Sequence, residues 1–222
     1  MSVPGAIIAA ALTMPKPYSL PEIVALYQEL AERIFTRNWY AVRPVSRYAF
    51  GALYDIKRLY EVLKGHFGEI RVGDCPKLVT TVYSTHERRY NTNCATVIFP
   101  NVHKPHGPKH YAELHDLYLA DVVTGSCAAP AYFHPHDFHH TDRETGATQR
   151  RRFRDGGVMD NSGILGAVAA LCTQEEANRT DVKDLSILAL GNGGVIFMKI
   201  PHRSHCTGSL YWSTVSSREA NK

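Results

Sequence analysis

The tripeptide Asp155-Gly156-Gly157 is the part of this chain best equipped for acid–base chemistry. A carboxylate can take a proton from a hydroxyl, and two glycines after it permit positive φ and close backbone approach. An acid on such a turn is held rigidly with its carboxylate facing a cleft. Asp-Gly is also among the commonest turn signals, so on local sequence alone a structural turn is the stronger reading.

Other reactive side chains are less well placed. Ser126 lies in TGSCAAP, which is not a Gly-x-Ser-x-Gly elbow, and reads as structural. Ser162 follows the glycine pair and reads as a helix cap. His134, His136, His139 and His140, with Asp137, are ligand types for a metal, but no ligand helix accompanies them and a solvated loop is expected. His202 and His205 would complete a Ser-Asp-His order, yet no elbow supports that. Gly191-Asn192-Gly193-Gly194 lacks the Lys-Ser/Thr of a phosphate loop and reads as a strand-end turn. Arg150, Arg151, Arg152 and Arg154 form the one dense basic run, either a solvated loop face or a contact for anionic lipid head groups.

The elements that must position these residues follow from periodicity. Residues 5–14 are rich in helix formers and stop before Pro15 and Pro17, predicting a buried helix. Ser19, Pro21 and Glu22 make a capping-box start, and Ile23, Leu26, Tyr27, Leu30 and Ile34 continue at helical spacing. Helices are predicted over 54–63, closed by Gly65, and over 111–123 and 164–172. The β-branched runs 78–83 and 95–99 predict strands, neighbours and antiparallel across the polar turn 87–93. Residues 130–149 read as a polar, His-rich loop, Val158 as a short strand residue, and 185–190 as a buried strand. Mixed helices and continuous apolar strands give the class α/β.

Four segments, in order, carry a resemblance. FRDGGVMDNSG (153–163) resembles the base motif of the patatin-like phospholipases, in which an Asn closely follows the Asp-Gly-Gly. VVTGSCAAPAYFHP (122–135) resembles that family's "A-T-S-A-A-P-x-Y-F" segment; Ser126, Ala128, Ala129, Pro130, Tyr132 and Phe133 fall on its positions, and Gly125 and Cys127 depart from it. LSILALGNGG is similar to the family's late strand, and GAIIAAALT to the helix after its nucleophile. The resemblance implies a three-layer α/β/α domain with a central, mostly parallel sheet over residues 1–201, and a loosely held tail over 202–222.

It also implies a chemistry. In that family a Ser on a Gly-x-Ser-x-Gly elbow attacks an ester carbonyl, an Asp takes its proton without an intervening His, and a Gly-rich loop supplies oxyanion donors. Asp155 carries over as the base, with Gly156, Gly157 and Asn161 supporting the motif. An ungapped match sets Val3 where the Ser belongs, and Ser2 reaches that position with Pro4 as one inserted residue. No Gly-rich oxyanion segment occurs in the sequence. The expectation is therefore an N-terminally truncated domain lacking its first strands. It is either a lipid acyl hydrolase, whole or as a fragment, or a lipid-binding or scaffold module that has lost the nucleophile. The dyad needs no metal or cofactor. The implied partner is a lipid or acyl ester, with transient contact at a membrane surface.

Composition fits one soluble-type domain. The chain has 222 residues, 44% hydrophobic and 21% charged, with a formal net charge of +4. That balance does not point to nucleic acid. Five cysteines without CxxC spacing argue against a disulfide framework or a zinc site and for a reducing compartment. The apolar run 6–12 has no basic residue before it, so no signal peptide is expected; nor is a membrane span. The expected location is cytoplasmic or peripheral at membranes.

Overall fold

A computed structural model describes residues 5–34, 52–75, 77–84, 94–98, 115–143, 146–158, 184–190 and 195–201. Helix α1 (Gly5–Thr13) is built from alanine, isoleucine and leucine and buries Ile7, Ala10 and Ala11. Helix α2 (Leu20–Ile34) buries the predicted stripe Ile23, Leu26, Leu30 and Ile34. The carboxylate of Glu22 accepts from the Ser19 backbone N–H at 2.7 Å and from its hydroxyl at 2.6 Å, tying off the exposed start of the helix.

Helix α3 (Ile56–Phe67) begins where Asp55 Oδ1 accepts from the Lys57 N–H, at 2.9 Å. It runs past Gly65 and stops at Gly68, whose φ of 56° is open to glycine without strain. The sequence reading closed this helix at Gly65; the stop is instead Gly68, the glycine with positive φ. Helix α4 (Leu119–Ser126) has all eight residues buried. Of the predicted helix 111–123, residues 111–114 lie outside the described residues; Tyr118 is engaged in an antiparallel bridge with Arg71, and α4 begins at the next residue.

Strands β1 (Thr80–Ser84), β2 (Cys94–Ile98), β3 (His136–Thr141) and β4 (Thr148–Asp155) form one sheet in the order β2-β1-β4-β3. Strands β1 and β2 pair antiparallel, as the sequence predicted. Strands β5 (Asp184–Leu190) and β6 (Val195–Pro201) form a separate antiparallel pair. The α/β class therefore holds. Its expected mostly parallel sheet is not met among the described residues, where every strand pairing is antiparallel. The apolar run LSILAL suits a buried parallel strand, but its described partner is the equally apolar VIFMKI.

The predicted His-rich loop is largely a hairpin. In β3, His136, Phe138 and His140 are buried while Asp137, His139 and Thr141 face out. Counting histidine as polar hides that period of two. The basic run is correspondingly strand, not loop: Arg151 is buried, and Arg152 and Arg150 grip Asp137 across the ladder at 2.6–2.9 Å. These contacts hold the Asp137 carboxyl down at about 2. Val158 ends a single 3-10 turn, Gly156–Val158, and is not a strand residue.

Helix α4 is the centre of the fold. On one side it packs against α1 and α3, in a core that includes Ala10, Leu26, Leu63, Phe67 and Val123. On the other it meets the sheet through Val122, Phe138 and Phe153. Among the described residues no helix is long and apolar enough to cross a membrane.

Candidate active site

Asp155 is the last residue of β4, opposite Val82 of β1 in the ladder. Its backbone N–H donates to the carbonyl of Ala128, just past the end of α4, at 3.2 Å. Its side chain turns onto the following turn: the Gly157 N–H donates to Asp155 Oδ1 at 2.7 Å. One carboxylate oxygen is thus fixed, and Oδ2 accepts no hydrogen bond among the described residues. Burial pushes the carboxyl above the ordinary carboxylate range, and the Gly157 N–H opposes that rise. A more basic carboxylate with one oxygen anchored suits proton transfer from a hydroxyl.

Two glycines make this geometry possible. A Cβ on Gly156 would run into the carbonyl and hydroxyl of Thr81 on β1. A Cβ on Gly125 of α4 would sit 2.5 Å from Cβ of Phe153 on β4. The first glycine lets the turn fold against β1, and the second lets α4 sink onto β4 and bring Cys127 and Ala128 beside Asp155.

Cys127 is fully buried, and its thiol is pushed well up by burial and, after that, by the charge of Asp155. Tyr27 of α2 is raised by burial and then by Cys127. Cys127 is thus the buried neighbour that feels the Asp155 charge. Ser126 is buried and structural: its hydroxyl donates to the Thr81 carbonyl at 2.9 Å and accepts from Thr80 Oγ1 at 3.2 Å. It cannot serve as the nucleophile in that arrangement.

Of the residues singled out from sequence, Asp155, Gly156 and Gly157 come together. Ser2, Asn161, Ser162, His202, His205, the 191–194 turn, the predicted helix 164–172 and the tail 202–222 lie outside the described residues. The histidine group does not converge: His136 bonds Asp121 and His140 faces Asp116, while His139 and Asp137 point outward. Among the described residues, no three His, Cys, Asp or Glu side chains are placed to hold a metal. Sequence reasoning missed Cys127 as a neighbour of the base, since nothing local links two distant positions. Gly125 had a signal: it departs from the resembled pattern, and a side chain there would strike Phe153 of β4.

The family model for patatin-like phospholipases matches residues 5–168, which include α1, the whole α4 segment and Asp155. The chain belongs to the patatin-like phospholipase family. Curated relatives agree. Patatin group J-1 of Solanum tuberosum is 30% identical over 202 residues, covering 85% of this chain and 48% of its own length. Patatin-15 of the same species is 30% identical over 202 residues, covering 85% of this chain and 47% of its own. Patatin-12 is 29% identical over 231 residues, covering 98% of this chain and 52% of its own. The chain spans about half the length of the curated relatives it matches.

Proposed function

We propose that this patatin-like chain is a lipid acyl hydrolase that cleaves carboxylic esters with Asp155 as general base. The observation that carries this is the carboxylate itself: half-buried, raised in basicity, with Oδ1 held by Gly157. In the proposed reaction a serine hydroxyl attacks the acyl carbonyl and its proton passes to Asp155. Collapse of the tetrahedral adduct expels the alcohol, which takes that proton, and leaves an acyl-serine. Water then attacks the acyl-serine, again giving its proton to Asp155, and the serine recovers it as the fatty acid leaves. Ser2 is the candidate nucleophile, with Gly156, Gly157 and Asn161 supporting the base motif. Residues 1–201 form the hydrolase domain in this reading and 202–222 a tail. The substrate is a lipid ester met at a membrane surface, and no cofactor takes part.

Hydrolysis of p-nitrophenyl acyl esters by the purified chain tests this. Asp155→Asn is expected to reduce turnover by about 10²–10⁴-fold, and Ser2→Ala to do the same. Activity that survives Asp155→Asn sinks the dyad. Liposome binding without any hydrolysis favours a lipid-binding module instead.

A further inference from the structure

A buried histidine–aspartate contact stands behind the site and has no part in the proposed chemistry. His136 Nε2 lies 2.7 Å from Asp121 Oδ1, with side chains 8% and 6% exposed. Asp121 is in the first turn of α4, and His136 opens β3. His136 faces Phe153 in the ladder, two residues before Asp155 on β4. Its ring packs against Tyr60 of α3 at 5.1 Å and Phe138 at 5.3 Å, and Phe138 meets Phe153 edge-on at 5.1 Å.

We infer that Asp121 and His136 are positioning residues for Asp155, fixing the depth and register of α4 against β4. Apolar packing is not directional, so Val122, Phe138 and Phe153 alone leave α4 free to slide along the sheet. The glycine contact at Phe153 tolerates little sliding. Two buried polar tethers remove that freedom: Ser126 to Thr81 and Thr80 at the end of α4, and Asp121 to His136 near its start. Between them, α4 delivers the Ala128 carbonyl to the Asp155 N–H and sets the buried Cys127 next to it in the chain. A buried polar pair is a poor source of stability, since well-packed apolar side chains of similar volume often match or exceed it. Its value here is direction.

This inference rests on Asp155 being the base, and its test separates the two. The variant Asp121→Leu/His136→Leu keeps the space filled and removes the directional bond. Its melting temperature is expected to stay near the parent's. The Asp155 carboxyl, titrated by carbon NMR, is expected to fall toward the ordinary value as water reaches it. Ester turnover is expected to drop by about ten- to a hundredfold with KM little changed. A double variant with parental Asp155 titration overturns the inference, whatever the chain's esterase activity. So does one that keeps parental turnover while Asp155→Asn abolishes it; survival of activity in Asp155→Asn instead removes the reading of Asp155 as base. If the double variant folds poorly, the single variants Asp121→Asn and His136→Ala are compared. The amide introduced by Asp121→Asn still accepts from His136, so that variant should preserve the Asp155 titration. His136→Ala removes the donor and should lose it. Equal behaviour of the two overturns the inference.

Discussion

Asp155 is asked to be both buried and charged, and that conflict has a measurable consequence. Its folded-state acidity is weaker than that of a free aspartate because burial penalises the anion. The sign follows from linkage: a carboxyl whose folded pKa is raised binds more protons folded than unfolded. Its stabilising contribution is present at low pH and is lost as pH rises through the folded pKa. At neutral pH the ionised carboxylate therefore destabilises the fold. Asp155→Asn removes the charge and keeps an oxygen for the Gly157 N–H, so a thermal melt at neutral pH should show a higher midpoint than the parent. The gain should vanish at acid pH, where the parent carboxyl is protonated. A lower midpoint at neutral pH would mean the charge is compensated by a partner. The neighbouring Gly156→Ala should lose about 1–3 kcal/mol in denaturant titration, because its methyl group meets Thr81 backbone that cannot swing aside. Gly65→Ala, with open space at that position inside α3, is the control and should be neutral or slightly stabilising.

At the level of elements, the β3–β4 hairpin carries a second pH dependence. His140 is 4% exposed at its side chain, and its Nε2 stands 3.7 Å from Asp116 Oδ2, too far for a hydrogen bond. Burial lowers its pKa most; Asp116 and Asp142 oppose this, while Arg151 and Arg71 reinforce it. Asp116 is already engaged by Arg71 at 2.8 Å and by Arg143 at 3.2 Å, which leaves little negative charge for a protonated His140. A histidine depressed in the folded state contributes stability that is present above its unfolded pKa and is lost as pH falls below about 6.5. His140→Phe should flatten the fall in denaturation midpoint between neutral and mildly acid pH, and His139→Phe on the outer face should leave it unchanged. An unaltered acid limb in His140→Phe would assign the loss to other groups.

The same hairpin marks the boundary of what the sequence discloses. Helix α2 was legible because Ile23, Leu26, Leu30 and Ile34 are unambiguously apolar at helical spacing. In HDFHHT the buried face is His-Phe-His; His136 meets Asp121 at 2.7 Å, and His140 faces Asp116 without a hydrogen bond. Those partners come from elsewhere in the chain, so no local pattern could reveal the strand. The Asp-Gly-Gly turn was legible as a motif for the opposite reason. Its demands are local: the Gly157 N–H reaches back two residues, and Gly156 must lack a side chain. What raises the basicity of Asp155 is burial against α4, which again depends on distant residues.

For the whole molecule, the position of α4 decides whether the fold has one core or two. Val123 belongs to the cluster shared with α1, α2 and α3, and Val122 to the cluster shared with the sheet. Both valines are fully buried, and adjacent positions on a helix point about 100° apart, so a single turn of α4 connects the two clusters. If that connection is rigid, neither cluster can melt while the other stands. Val122→Ala and Val123→Ala should each lower stability by about 1–3 kcal/mol, and each should shift one cooperative transition as a whole. Circular dichroism at a helix wavelength and the fluorescence of an extrinsic probe near the sheet should give coincident curves in both variants. Separate midpoints, with Val122→Ala loosening the sheet while the helices persist, would show that α4 belongs to the helical layer and only rests on β4. In that case Asp155 would sit on the less stable unit, and heating would remove ester hydrolysis before it removed helix.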